Sequence, residues 1–149
     1  RALDIGCGVG HSSLALLPYC EMVTALDPSQ AMIDLAIPNK KISYRCSKVV
    51  ASDFDSISFD LISLAGSLNY CHSEAFIDEL ARIINPTGTI LIYDFDVNLD
   101  KVYDYLDIAK ESSGYDHELG LDIKEQHRFT LKQSISEDLH IEISEEQLT

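Results

Sequence analysis

The stretch Ala2-Leu3-Asp4-Ile5-Gly6-Cys7-Gly8-Val9-Gly10 decides how this chain is read. A short apolar run leads into three glycines at alternate positions, and His11 to Leu17 then reads as a helix closed by Pro18. Glycines at such a turn let the backbone bend tightly and approach a ligand. The helix N-terminus adds unpaired N–H groups and a positive dipole end. A dinucleotide fingerprint would need its third glycine at position 11, which is His11 here. The pattern is instead an acid, one residue, then GxGxG. The carboxylate of Asp4 beside that turn suits a ligand ammonium group, and a pyrophosphate would be repelled by it.

The next segments repeat the strand–helix alternation. Met22 to Leu26 reads as a second strand that ends in Asp27-Pro28-Ser29, which is turn and cap chemistry, and Gln30 to Ala36 as a helix ending before Pro38. Asp27 can accept both hydroxyl hydrogens of a ribose, two charge-assisted hydrogen bonds in one place. A nicotinamide cofactor would also fit, so Asp27 alone does not discriminate. Ile42 to Cys46 is a third strand. Phe59 to Ala65 is a fourth, apolar enough to be buried on both faces. Ser73 can cap a helix whose apolar stripe is Phe76, Ile77, Leu80, Ile83 and Ile84. Asn85-Pro86-Thr87-Gly88 ends that helix, and Thr89 to Tyr93 is a fifth strand. Near-continuous apolar strands alternating with helices predict an open, doubly wound α/β domain on a parallel sheet.

After Asp96 the pattern changes. Leu99, Val102, Tyr103, Leu106 and Ala109 form another helical stripe, broken at Ser112-Ser113-Gly114-Tyr115. Arg128 to Ile135 and Leu139 to Ile143 alternate imperfectly, as an antiparallel hairpin would. Ser144 and Gln147 read as the start of a further helix. The chain opens with Arg1 at the edge of a strand, so it reads as a piece of something longer, cut at both ends.

Composition narrows the function. The 149 residues fit one domain. With 11 Lys+Arg against 25 Asp+Glu the net charge is −14, which argues against nucleic acid as a partner. No apolar run approaches the roughly 18 residues of a membrane span. Cys7, Cys20, Cys46 and Cys71 form no CxxC pair, so no metal site is expected. They read as free, mostly buried thiols in a reducing cytoplasm.

With these motifs in order, residues 1–96 resemble the class I S-adenosylmethionine-dependent methyltransferases. Leu3 to Gly10 matches that family's glycine-rich motif, Val23 to Ser29 looks like its second motif, and Phe59 to Ser63 its fourth strand. Leu80 to Thr89 looks like the helix and turn before its fifth strand, with Thr87 standing where a glycine is usual. The resemblance implies a Rossmann-like sheet of strand order 3-2-1-4-5. It also implies that residues 97–149 are a truncated α+β insertion covering the substrate, in the same domain as a 1–96 cofactor core, and that the family's sixth and seventh strands are not in this chain. S-adenosyl-L-methionine is the implied cofactor and a small molecule the implied acceptor.

Residue by residue, the resemblance places Asp4 near the methionine amino group and the Gly6-Cys7-Gly8 backbone under the cofactor. Asp27 holds the ribose, with Pro28 and Met32 alongside. The Ala65 carbonyl faces the methionine moiety. Either the backbone near Val49 or the carboxylate of Asp53 meets the adenine amino group. Acceptor-side candidates lie after the strand ends: Asn69, Tyr70, His72, Tyr93, Asp94, Tyr115 and His117. Tyr70, His72 and His117 are the catalytic candidates, either histidine as a base. Two other functions compete: a non-catalytic module that binds the same cofactor, and a nicotinamide-dependent oxidoreductase, which leaves Asp4 unexplained.

Overall fold

A computed structural model describes residues 1–97, 99–109, 114–117, 119–121 and 128–139. Its centre is a five-stranded parallel sheet of order β3-β2-β1-β4-β5, as expected. The strands are β1 (Ala2–Ile5), β2 (Val23–Asp27), β3 (Ile42–Cys46), β4 (Phe59–Ala65) and β5 (Ile84–Tyr93). β1 and β2 are buried at every residue, which is why they read as unbroken apolar runs.

Helices α1 (His11–Leu16) and α2 (Gln30–Asp34) follow β1 and β2. A short α3 (Leu68–Cys71), absent from the sequence reading, follows β4 and leads into α4 (Glu74–Ile83). Ser73 caps α4 as expected, accepting from the Phe76 N–H at 3.2 Å. The apolar stripe of α4 then buries Phe76, Ile77, Leu80 and Ile83 against Leu3, Ile62 and Leu64 of the sheet. The opposite face packs Leu16 of α1 on Ala2, Val23, Ala25 and Ile42. A 3-10 turn at Val49–Ala51 and α5 (Asp100–Leu106) complete the described elements.

Several expectations need correcting. Asn85-Pro86-Thr87-Gly88 is no free-standing turn. It is a bulge inside β5, because Phe59 pairs with Ile84 and Leu61 with Thr89. The bulge tolerates Pro86, which has no N–H for a ladder. α2 ends at Asp34 and not at Ala36. The strand expected over Arg128 to Ile135 does not form, and residues 128–139 run as coil. Leu131, Ile135 and Leu139 are all exposed, so their alternation buries no face and gives a strand nothing to pack on. The second arm from Leu139 to Ile143 falls, after its first residue, outside the described residues, as do Ser112, Ser113, and Ser144 to Gln147.

The first residues of the coil are held to α4, β5 and the core. Arg128 pairs with Asp78 of α4, Lys132 Nζ donates to Thr89 Oγ1 of β5 at 3.3 Å, and Phe129 packs on the larger core cluster. All four cysteines are free. Only Cys7 is fully buried and Cys46 is exposed, which corrects the expectation that most are buried. No helix among the described residues is long and apolar enough to cross a membrane.

Candidate functional site

The glycine turn follows β1 and is tied to the end of β2: the N–H groups of Gly6 and Cys7 both donate to the Leu26 carbonyl, at 2.8 and 3.0 Å. Gly6, Gly8 and Gly10 all have positive φ, at 75°, 53° and 95°. Their surroundings differ. A Cβ on Gly6 would run into the Ser67 side chain, and one on Gly10 into the Tyr44 hydroxyl. A Cβ on Gly8 would meet nothing within 4 Å. Two of the glycines therefore serve packing, and Gly8 faces open space. Cys7 lies between them with its thiol pushed up to about 12, first by burial and then by Asp4 and Asp27. Such a thiol is inert filling.

Asp27 ends β2 and is buried against the turn. Its Oδ2 accepts from the Gly8 N–H at 2.9 Å and its Oδ1 from the Ser29 N–H at 2.8 Å. Each oxygen keeps a lone pair for a further donor. The Ser29 bond is the turn chemistry of Asp-Pro-Ser, and Ser29 in turn caps α2, accepting from Met32 N–H at 3.4 Å.

Asp4 is wholly buried under α1. Both Ser12 and Ser13 donate their hydroxyls to its Oδ2 at 2.6 Å, while its Oδ1 has no hydrogen-bond partner among the described residues. The Ser63 hydroxyl, across from Asp4 in the register, lies close enough to favour the charged carboxylate. Burial dominates, so the carboxyl sits above its usual range. Ser12, Ser13 and Ser63 were not identified from the sequence. The signal for the two helical serines was there: they follow the acid by eight and nine residues, at the first turn of the helix that lies over it.

Two further residues brace the turn, and neither was foreseen. Ser67 donates to the Ile5 carbonyl at 2.6 Å and locks the exit of β4 to the exit of β1. Tyr44 donates to the Ile37 carbonyl at 2.9 Å, while the Ile37 N–H donates to the Val9 carbonyl at 2.9 Å. The segment after α2 is thus fastened to the glycine turn.

The remaining cofactor-side candidates are scattered. Met32 is exposed on α2, Val49 is buried in the 3-10 turn, and Ala65 ends β4. Asp53 is exposed and pairs with Arg45 of β3 at 3.5 Å, and the Arg45 guanidinium lies over the Phe54 ring.

Most of the acceptor-side candidates do come together, at the ends of β4 and β5. Tyr115 donates its hydroxyl to the Gly66 carbonyl at 2.9 Å, and its ring meets Tyr70 at 5.8 Å and His117 at 4.7 Å between centroids. Its phenol is raised, first by desolvation and then by Asp94. His117 Nδ1 lies 3.4 Å from Asp94 Oδ2, and Nε2 lies 3.8 Å from Asp96 Oδ1. Asn69 clamps the backbone of Asp116 from both sides, donating to its carbonyl at 2.7 Å and accepting from its N–H at 3.2 Å. A cavity of ≈ 330 Å³ is lined by Asn69, Tyr70, Gly114 and Tyr115. His72, which ends α3, makes no side-chain contact with this group in the described residues. Neither His127 nor His140 is among the described residues.

Comparison with known proteins agrees with this geometry. The sequence pattern of the Methyltransferase domain family matches residues 3–92. The chain is 30% identical over 117 residues to the ubiquinone biosynthesis O-methyltransferase of Coxiella burnetii, covering 74% of this chain and 50% of that protein. It is 30% identical over 100 residues to the demethylmenaquinone methyltransferase of Clavibacter sepedonicus, covering 64% and 41%. The fold is shared with the crystal structure of an S-adenosylmethionine-dependent methyltransferase from Mesorhizobium loti, at a TM-score of 0.56 and 24% identity, over 62% of this chain and 45% of that one. The chain spans about half or less of the length of the curated relatives it matches. It belongs to the class I S-adenosylmethionine-dependent methyltransferase family.

Proposed function

We propose that this family member binds S-adenosyl-L-methionine and serves methyl transfer to a small-molecule acceptor. The observation that carries the proposal is Gly8: a left-handed glycine with open space in front of it, whose N–H is fixed by the carboxylate of Asp27. Its neighbours Gly6 and Gly10 are filled by protein atoms. A backbone bared at one place beside a hydroxyl-accepting carboxylate fits a cofactor laid across the turn. The unpartnered Oδ1 of Asp4 fits its ammonium group.

In this reading the Gly6-Cys7-Gly8 backbone lies under the methionine portion and Asp4 serves the amino group. Asp27 takes the ribose hydroxyls, with Pro28 and Met32 beside it. The adenine meets the backbone at Val49 or the carboxylate of Asp53, and the Ala65 carbonyl faces the methionine. When bound, the cofactor supplies an electrophilic methyl on a sulfonium. The protein's own part is to align the acceptor and exclude water. We assign residues 1–96 to the cofactor core and residues 97–149 to the segment over the acceptor. The acceptor class is supported by the quinone-pathway names of the two relatives, neither of which denotes a macromolecular substrate. The strong negative charge points the same way.

Calorimetry of the full-length protein with S-adenosylhomocysteine tests the proposal. Saturable one-to-one binding is expected. A folded protein that does not bind would overturn it.

A further inference from the structure

We infer that the outer edge of β3 is a docking strip for an extended, acidic segment of a partner protein, which joins the sheet as a further strand. The inference stands apart from the methyltransferase reading and does not depend on it.

Charge sets the strip apart. Residues 40–48, Lys40-Lys41-Ile42-Ser43-Tyr44-Arg45-Cys46-Ser47-Lys48, hold four of the chain's 11 Lys and Arg and none of its 25 Asp and Glu. No acid occurs between Asp34 and Asp53. All four cations are exposed. Arg45 meets Asp53 at 3.5 Å, whereas no carboxylate among the described residues comes within ion-pair distance of Lys40, Lys41 or Lys48. A chain of net charge −14 therefore carries a concentrated basic strip on one strand edge.

Geometry adds a second reason. β3 is an end strand of the sheet, paired with β2 from Val23 against Ile42 to Asp27 against Cys46. The outer backbone groups of an end strand are a template for another strand. Both faces of β3 are already engaged: Ile42 is buried and Tyr44 is tied to Ile37 on one, and Arg45 lies over the Phe54 ring on the other. The side left for a partner is the edge.

Lysines on an edge strand can also serve to repel any incoming strand. Their placement here argues otherwise. Lys40 and Lys41 precede β3 and Lys48 follows it. Within the strand only Arg45 is charged, and it is drawn aside to Asp53 and Phe54. Cations at both ends of an open edge select by sign. A second copy of β3 would bring four more cations and is repelled, while an acidic segment is attracted. Main-chain hydrogen bonds supply the affinity and the flanking charges the choice of partner. A single extended segment meets the strip alone. A broad anionic surface would also face the exposed carboxylates of Asp34 and Asp53 and be repelled by them.

The test titrates full-length protein into the fluorescein-labelled peptide Glu-Glu-Val-Thr-Val-Thr-Val-Glu-Glu at low ionic strength and follows anisotropy. Saturable binding that weakens with salt is expected, together with slowed amide hydrogen exchange at residues 42–46 of the unmodified protein. The combined variant Lys40→Glu, Lys41→Glu, Lys48→Glu should bind roughly tenfold or more weakly, as three exposed ion pairs are lost together, with thermal unfolding unchanged. A peptide whose central valine is replaced by proline keeps the charge and loses an N–H, and it should bind several-fold more weakly. No binding, or binding undiminished in the lysine variant, overturns the strip. Equal binding of the proline peptide, or exchange at residues 42–46 unmoved by a bound peptide, overturns strand addition. Preference for phosphatidylglycerol vesicles or for a single-stranded oligonucleotide over the peptide overturns the choice of partner.

Discussion

Replacing Gly8 with alanine separates binding from folding at the glycine turn, and Gly6→Ala is the matched control. Both positions have left-handed φ, so a Cβ at either costs about 1–2 kcal/mol in backbone energy. At Gly8 that is the whole effect on the free protein, because no heavy atom lies within 4 Å of the new carbon. A domain of ordinary stability, about 5–15 kcal/mol, survives it. At Gly6 the Cβ collides with the Ser67 side chain at its own β-carbon, which no rotamer change can move away. Overpacking of this kind adds about 1–3 kcal/mol.

The order reverses for ligand binding. If the cofactor lies against Gly8, the added methyl meets a filled contact, and the same 1–3 kcal/mol of overpacking falls on the complex. That weakens S-adenosylhomocysteine binding by about fivefold to somewhat more than a hundredfold. The assays are thermal unfolding without ligand and calorimetry with it, on the full-length protein. Gly8→Ala should lose the smaller share of thermal stability and the larger share of affinity. Ser67→Gly should partly restore the stability of Gly6→Ala, since it removes the carbon that is struck. Wild-type affinity in a folded Gly8→Ala protein would refute the reasoning, because it would mean that the open space is not where the ligand lies.

Three further substitutions probe the groups around the turn. Asp27→Ala should weaken S-adenosylhomocysteine binding by about 1.5–3 kcal/mol, the worth of hydrogen bonds to a charged group. Unchanged affinity by calorimetry would remove Asp27 from the ribose. Asp4→Asn keeps an acceptor for Ser12 and Ser13 and removes a buried charge. Burial raises the folded-state pKa of Asp4 above its unfolded value, so wild type gains stability as pH falls through that raised pKa, a gain the variant lacks. The variant should therefore match or exceed wild type in denaturant near neutrality, and its advantage should shrink as pH falls towards the carboxylate range. An advantage that grows on acidification would contradict this. Tyr44→Phe removes the hydroxyl that holds Ile37 and should lower stability by about 0.5–1.5 kcal/mol. It should also weaken S-adenosylhomocysteine binding, since Ile37 fastens the turn through Val9.

The sheet was legible because its signal is local. Each strand is a short apolar run with turn residues at both ends, and burial on both faces removes the alternation that would confuse strand with surface. Asp27 was legible for a related reason: its partners, Gly8 and Ser29, are backbone groups that the motif itself supplies. Ser67 and Tyr44 were not legible. Their contacts span 62 and 7 residues and depend on how two strand exits or a loop and a strand come together, which no short pattern encodes. The first arm of the expected hairpin failed for the opposite reason. Arg128 to Ile135 shows a local alternation, but a strand also needs a partner and a face to bury, and the coil instead meets α4 through Arg128, the core through Phe129 and β5 through Lys132. The grouping of Tyr70, Tyr115 and His117 was foreseen only as a list of residues after strand ends. What joins them is the Tyr115 bond to Gly66 and the Asn69 clamp.

On the proposed reading, the two acids of the turn explain why a site for a cationic, hydroxyl-rich cofactor is ready before the ligand arrives. Asp27 is already satisfied, one backbone donor on each oxygen, and it asks of a ligand only hydrogen bonds that use spare lone pairs. Asp4 is half satisfied. Two hydroxyls hold one oxygen and leave the other buried and bare, which is an unfavourable state for a carboxylate in a protein interior. A hydroxyl-only partner would repair the hydrogen bond and leave the charge. An ammonium group repairs both, so Asp4 discriminates in a way that Asp27 cannot. The division also accounts for the order of the motif. The discriminating acid lies inside the strand, where burial sharpens it, and the tolerant one lies at a strand end, where the turn supplies its donors. A nicotinamide cofactor could satisfy Asp27 and would leave Asp4 Oδ1 bare. On the proposed reading, the buried acid, more than the glycines, is therefore what would separate the two cofactors.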